Sequence, residues 1–293
     1  MKRRIKLPTL EIAAPGATVS AMGRVPLHLP GGDSGPWQKT MAGLKEAFDL
    51  KLGAVEESDG VLRRFEDEAQ ELEIFEASDS WRWTRLPRPE ALPEGPAKVP
   101  DDPIAAANAF LKAHGLFDER AEAVSVGSTS LASASADAES GFPVETHVHY
   151  RFSLGGLPLI GPGAKMRVTF GPDGEVSSAY KFWREPSDDP PPAPSPFRRL
   201  MRPEEARKRL SLDPLWAGLP RGTRVSVKRV YLAYYAAPPS VTQETLLPVF
   251  AYEGTLRLRD RPSYPFVHML EAVRVRADEW RATSELVRSL VRR

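Results

Sequence analysis

Two stretches of the chain hold residue types that could do chemistry. In Gly156–Phe170, GLPLIGPGAKMRVTF, Gly156 and Gly161 stand five apart with Lys165 shortly beyond. That is the outline of a phosphate-binding loop, whose backbone N–H groups cradle phosphates between Gly-x-x-x-x-Gly and Lys-Ser/Thr. The detail fails, because Pro162 occupies the lysine position and deletes a donor, and MRVTF alternates as a strand where a helix should open. The stretch reads instead as a strand ending near Leu159, a Gly-Pro-Gly turn and a return strand, closed by the Pro-Asp-Gly turn at 172–174. No nucleotide or other cofactor is expected.

The second stretch alternates Glu145, His147 and His149. On a strand these side chains share one face at about 7 Å intervals, a spacing that could begin a metal site. Only His28, His114 and His268 remain as further imidazoles, and a half-solvated sheet face explains the trio equally well, so no metal is expected. Nucleophilic catalysis has no Gly-x-Ser-x-Gly elbow to use, and the Ser/Ala run at 128–140 reads as a loop. The pairs Glu56-Glu57 and Asp188-Asp189 fall in expected turns or linkers, where water leaves little reason for a shifted pKa. With no cysteine in 293 residues, disulfides, thiolate metal sites and cysteine nucleophiles are excluded. No catalytic residue is assigned.

Aromatic residues are the remaining candidates. Trp183 closes one expected sheet; Tyr231, Tyr234 and Tyr235 crowd the corresponding region of another, with Tyr252 and Tyr264 nearby. One face of each sheet must bury something against its helix, so core filling is one role. A concave surface that grips a peptide is the other, and its candidate residues are Trp183, Tyr234, Tyr235, Tyr252 and, on a basic terminal helix, Trp280.

The elements that must position these residues follow from periodicity and punctuation. Trp37, Met41, Leu44, Phe48 and Leu52 predict a helix over 37–53 that stops at Gly53, followed by short antiparallel strands around Ser78-Asp79. Asp102 as cap, Pro103 in the first turn and Gly115 at the end predict a second helix, then strands at 122–131, 143–154, 164–170 and 175–184. A third helix opens at Pro203, before strands near 223–236, 245–258 and 265–276. Five prolines in 87–100 and six in 184–196 read as linkers. The expected organisation is therefore a small α+β domain with a flexible arm at 1–98, helix-plus-sheet modules at 99–186 and 197–276, and a basic helix at 277–293.

Read whole, HYRFSLGGLPLIGPGAKMRVTFGPDGEVSSAYKFWREP resembles the PepSY-like and YycI-like modules of bacterial accessory proteins. VKRVYLAYYAAPPSVTQETLLPVFAYEGTL looks like a second copy. The resemblance spans about residues 100–276. It implies an α+β fold of tandem cystatin-like modules, each one helix packed on a curled antiparallel sheet. It also implies a non-catalytic, extracytoplasmic role in binding, inhibition or regulation.

Charge and hydropathy bound the partners. Segment 41–140 carries a net −11 and segment 197–293 a net +9 within a total of +1, a polarity that could drive self-association. The basic residues form no nucleic-acid signature, so no nucleic acid is expected. No apolar run is long enough for stable membrane insertion, and Pro8, Glu11 and Pro15 interrupt any leader-like segment. As written the chain reads as soluble and cytoplasmic, whereas the resemblance implies an extracytoplasmic site. The functional expectation is a regulatory, inhibitory or scaffolding protein that binds a protein or peptide. A structural subunit of a larger assembly is the alternative and a hydrolase the third choice.

Overall fold

The computed structural model describes residues 9–12, 24–26, 37–51, 55–58, 61–86, 95–135, 138–184, 197–220, 222–243, 246–259 and 261–273. In chain order the elements are β1 (Thr9–Ile12), β2 (Arg24–Pro26), α1 (Trp37–Ala47), β3 (Val55–Ser58), β4 (Leu62–Glu66), β5 (Gln70–Phe75), β6 (Ser80–Arg85), α2 (Pro103–Ala113), β7 (Ala121–Ser135) and β8 (Ala138–Leu154). There follow β9 (Leu157–Ile160), β10 (Lys165–Phe170), β11 (Val176–Phe182), β12 (Phe197–Arg199), α3 (Pro203–Leu212), a 3-10 turn at Pro214–Gly218, β13 (Arg224–Tyr235), β14 (Leu247–Arg257) and β15 (Ser263–Glu271). They form two compact units. One comprises Leu29–Asp189 with Tyr235–Leu246, and the other Met1–His28, Pro190–Tyr234 and Leu247–Arg293.

The unit built around Leu29–Asp189 holds nine strands in the order β9-β8-β10-β11-β6-β5-β4-β3, with β7 also paired to β8. All of these pairings are antiparallel. One face of the sheet is apolar, since Leu72 and Ile74 of β5, Trp81 and Trp83 of β6, Ala179 of β11 and Val168 of β10 are all buried. Leu44, Phe48 and Leu50, from α1 and the turn after it, pack on this face, and the Phe48 ring stacks on Trp83 with centroids 4.5 Å apart. Each such buried side chain contributes roughly 1.5–3 kcal/mol. The helix stops at Ala47, short of the expected 53, because Asp49 turns into the left-handed region at φ 49°. Leu50 N–H then bonds back to the Lys45 carbonyl and Asp49 N–H to that of Glu46, the Schellman arrangement. This swings Leu50 into the core.

The second helix ends where the sequence says. Asp102 Oδ1 accepts from Ala105 N–H at 2.9 Å, and Gly115, at φ 66°, closes the last turn. Its Ala107 and Leu111 are buried, Asn108 accepts the Tyr150 hydroxyl at 2.8 Å, and Phe110 lies 6.3 Å from Phe48. Both helices therefore serve one sheet.

In the other unit β13, β14 and β15 lie side by side, and β1 pairs β13 in parallel, Thr9 with Arg224 through Ile12 with Val227. Gly254 of β14 sits where an added Cβ would stand 2.0 Å from the Ser226 carbonyl oxygen, so only glycine lets the two backbones approach. Helix α3 meets β15 through Arg209 and Glu271, 3.5 Å apart. Strands β2 and β12 form a separate antiparallel pair.

This architecture corrects the expected fold class. The tandem modules of one helix on one curled sheet, with a separate small α+β domain before them, are not formed. Among the described residues strands dominate both units, the three helices have only ten or eleven residues each, and the sheet that includes β1 is mixed. The physical reason lies in β6, whose outer edge bonds β11 from Thr84↔Ser178 to Trp81↔Lys181. That pairing carries the early hairpins into the same sheet as the later strands. The proline-rich run read as a linker docks where it is described: Ala97 N–H bonds the Pro143 carbonyl and Lys98 N–H that of Pro172. Most of the 184–196 linker and the whole 277–293 helix lie outside the described residues. Among the described residues no helix is long and apolar enough to cross a membrane.

Candidate binding surface

The Ser/Ala run expected to be a loop is strand. Strand β7 continues to Ser135 and β8 resumes at Ala138, paired from Ala121↔Phe152 to Ser135↔Ala138. Pro143 is accommodated by a register shift, because Thr129 faces Glu145 and Ser130 faces Pro143, leaving Val144 unpaired. A second shift leaves Val124 unpaired, between Ala123 and Ser125. Among the described residues β7 pairs only with β8, so its other edge presents outward N–H and C=O groups at alternate positions. Val124, Val126 and Leu131 along it are 44–46% exposed. Of its fifteen residues only Glu122 is charged, and none is Pro, Lys or Arg.

On the sheet face opposite the helices, the register aligns one polar row: Arg64↔Glu73↔Arg82↔Tyr180↔Arg167↔His149↔Ser125. Toward β4 the row is neutralised, because the buried Glu73 takes ion pairs from both Arg64 and Arg82. Toward β7 it is not. The Arg167 guanidinium packs over the Tyr180 ring at 5.0 Å, and its buried Nε has no hydrogen-bond partner among the described residues. Lys165, two residues earlier on the same face, is exposed. Burial, then Arg167 and Lys165, hold the His149 pKa below its ordinary value.

His147 lies deeper, 8% exposed. Thr129 Oγ1 stands 2.6 Å from its Nε2 and Thr169 Oγ1 3.1 Å from its Nδ1, so both ring nitrogens are occupied and neither is available as a general base. Glu145 is 3.8 Å from His147, and the His147 pKa is lowered by burial, then by Arg167. Among the described residues no three His, Cys, Asp or Glu side chains converge as metal ligands. In the other unit His268 Nε2 bonds Asp213 Oδ2 at 3.1 Å with Trp216 5.1 Å from its ring, a pair without a hydroxyl nucleophile bonded to it.

The aromatic candidates divide. Trp183 is buried and stacked on Phe152 at 4.3 Å. Tyr234 is 1% exposed, its hydroxyl pKa raised by burial. Tyr252 is buried opposite His268 on β15, its hydroxyl pushed up to about 12 by burial. Tyr235 is half-buried and its carbonyl accepts from Gln243 Nε2 at 2.8 Å. Trp280 lies outside the described residues. Trp183 and Tyr235 belong to one unit and Tyr234 and Tyr252 to the other; the β7 edge and its polar neighbours were missed. The signal that could have found them is the period-two alternation of Ser125, Gly127 and Thr129 continuing into Ala-Ser-Ala-Ser.

The Gly-Pro-Gly turn has a structural use. An added Cβ at Gly163 would stand 1.9 Å from the Ala237 carbonyl oxygen, and one at Gly161, where φ is 110°, 2.4 Å from that of Ala236. The turn holds a backbone, and the buried Arg184 clamps the same segment by donating to the carbonyls of Ala237, Pro238 and Val241. A groove of about 410 Å³ lies between α2 and the β10–β11 turn, lined by Val99, Pro100, Phe110, Phe170 and Val176 with Lys98 and Glu175.

No protein-family model matches the chain, and no curated protein matches it. Among solved structures it is similar to the crystal structure of an uncharacterized protein from Eubacterium rectale ATCC 33656, at 10% identity and a TM-score of 0.40, over 87% of this chain and 86% of that one.

Proposed function

We propose that the protein binds an extended segment of a protein partner by strand addition along β7, without catalysis. The observation that carries this reading is the outer edge of β7, with fifteen residues and, among the described residues, a single neighbour. Natural edge strands are blunted by prolines, lysines, inward charges or short length, and β7 has none of these after Glu122. Its two register shifts interrupt its ladder with β8 only locally. Main-chain hydrogen bonds would supply affinity, each worth about 0.5–1.5 kcal/mol net, and the exposed Val124, Val126 and Leu131 give side chains of the added strand something to cover.

Amide hydrogen exchange of the full chain tests it, with and without an excess of a ten-residue peptide alternating threonine and valine. Protection should appear at alternate residues within 123–135 and spare β3, the opposite end of the sheet. Unchanged exchange along β7 at saturating peptide refutes the reading. If β7 is already protected at high protein concentration without peptide, and loses that protection on dilution, the edge joins copies of this chain, as an assembly subunit would require.

A further inference from the structure

The site of strand addition has a side-chain preference written beside it. Gly127 of β7 faces His147 in the ladder, and a Cβ placed on it would stand 3.7 Å from His149 Nε2, with no other atom within 4 Å. The His149 imidazole thus leans over a gap that any other β7 residue would fill. Among the described residues the His149 side chain has no hydrogen-bond partner, and its ring lies 6.0 Å from that of His147.

On the β10 side of this gap the charge is basic. Arg167 is directly opposite His149 on β10, and Lys165 precedes it on the same face. Among the described residues neither makes an ion pair, unlike Arg64 and Arg82 farther along the row. Glu145 lies against His147, and Glu122 faces Arg151 in the register. An acid is missing where the field calls for one.

We propose, resting on strand addition at β7, that the added segment carries an acidic residue opposite Gly127, whose carboxylate bonds His149 Nε2 across the glycine. Directly opposed residues of neighbouring strands project on the same face with Cβ atoms about 4.5–5.5 Å apart. The glutamate carboxylate extends roughly 3.6 Å beyond its Cβ, and a hydrogen bond adds about 2.9 Å, a reach of about 6.5 Å against the roughly 5.8–6.6 Å to an Nε2 standing 3.7 Å above the Cβ position of residue 127. Aspartate is shorter by one methylene and fits less well. The partner is therefore an acidic peptide segment, with glutamate flanked by uncharged β-forming residues that cover Val124 and Val126.

Two peptides separate this proposal from the reading beneath it. One alternates threonine and valine around a single central glutamate, and the other replaces that glutamate by glutamine. Both are titrated into the full chain and into Gly127→Val and His149→Leu. A valine is tolerated at 127, because no positive φ is required there and β-branched residues suit strands. The wild type should bind the glutamate peptide about tenfold tighter than the glutamine peptide, as a charge-assisted hydrogen bond would give. Both variants should bind the two peptides equally, at the wild-type affinity for the glutamine peptide, which also shows that they are folded. Equal binding of both peptides by the wild type overturns the acidic preference and leaves strand addition standing. A preference that survives unchanged in both variants overturns its placement at Gly127. Failure of both peptides to bind overturns strand addition and this proposal with it.

Discussion

Replacing Gly163 by alanine is the sharpest test of what the glycine-rich turn does. The new Cβ would lie 1.9 Å from the Ala237 carbonyl oxygen and 2.8 Å from Arg184 Nη1, against roughly 3.5 Å for a comfortable contact. Because the clash is with backbone, relief requires the 236–237 segment to withdraw by about 1.5 Å. That segment is held by Gly163 N–H to the Ala236 carbonyl at 3.2 Å, by Ala236 N–H to the Ile160 carbonyl at 2.9 Å, and by Arg184 Nη1 to the Ala237 carbonyl at 2.8 Å. Overpacking of this kind costs about 1–3 kcal/mol. Losing one bond from the buried guanidinium adds about 1.5–3 kcal/mol. The expected loss is therefore about 2.5–6 kcal/mol, which for a unit of this size lowers the melting temperature by roughly 5–24 °C. Scanning calorimetry of the full chain reads it. Gly43→Ala is the control of opposite sign: it is exposed within α1 with nothing within 4 Å, so alanine should stabilise by about 1 kcal/mol through helix propensity. Lys165→Ala should leave the melting temperature within about 2 °C, since that lysine is exposed and unpaired. A Gly163→Ala protein that melts within about 2 °C of the wild type refutes the packing argument.

Two carboxyls set opposite pH dependences. Burial, against partial relief from Arg209, pushes Glu271 up to about 7, so the folded state binds this proton more strongly than the unfolded one and ionisation costs stability above pH 7 that is recovered as pH falls toward 4.5. Glu271→Gln should therefore stabilise the protein by about 2–3 kcal/mol at pH 8 and by little at pH 5, measured by denaturant titration at both; equal effects at the two pH values refute it. For Asp118 burial acts upward, but hydrogen bonds from Arg120 and the ion pair with Lys181 at 2.9 Å outweigh it and hold the carboxyl well below the usual range. Its contribution is complete above about pH 4 and shrinks as pH falls toward the depressed folded-state pKa, so Asp118→Asn should cost on the order of 3 kcal/mol at pH 7 and about half of that or less at pH 2; a penalty as large at pH 2 as at pH 7 contradicts the pairing.

Local chemistry was legible where one residue dictates one geometry. Asp102, Pro103 and Gly115 delimit α2 within a residue, and Pro162 rules out a phosphate loop because proline has no N–H to give. The strands at 165–170 and 176–182 fall where alternation puts them. What was not legible is which edges meet. The sequence SWRWTRL announces a strand with one apolar face, yet nothing in it says that its outer edge accepts β11, because ladder hydrogen bonds are made by backbone and are blind to side-chain identity. Proline content misled for a related reason, since 95–100 use their few N–H groups to dock on Pro143 and Pro172. The aromatics show the same limit: bulk in Trp183, Tyr234 and Tyr252 indicates that something large is buried or bound, and only the packing says which.

The β7 edge escaped because Ser, Ala, Gly and Thr carry almost no signal of burial, and a strand that buries little looks like a loop. Its neighbours supply the contrast. At the far end of the same sheet β3 has four residues, two of them glutamates, which is how a sheet keeps an edge from pairing. By comparison β7 is nearly four times as long and bare of charge from Ala123 to Ser135. The second departure from ordinary design lies two strands away, where Arg167 and Lys165 go unneutralised although Glu73 neutralises Arg64 and Arg82 on the same face. An undefended edge exposes the protein to aggregation, and an unpaired buried guanidinium nitrogen costs desolvation. Both departures lie toward the same end of the sheet, two strands apart: an incoming strand would pair the bare edge directly, and an acid on it would sit in the field that the two cations set up, which is the physical case for a partner at β7.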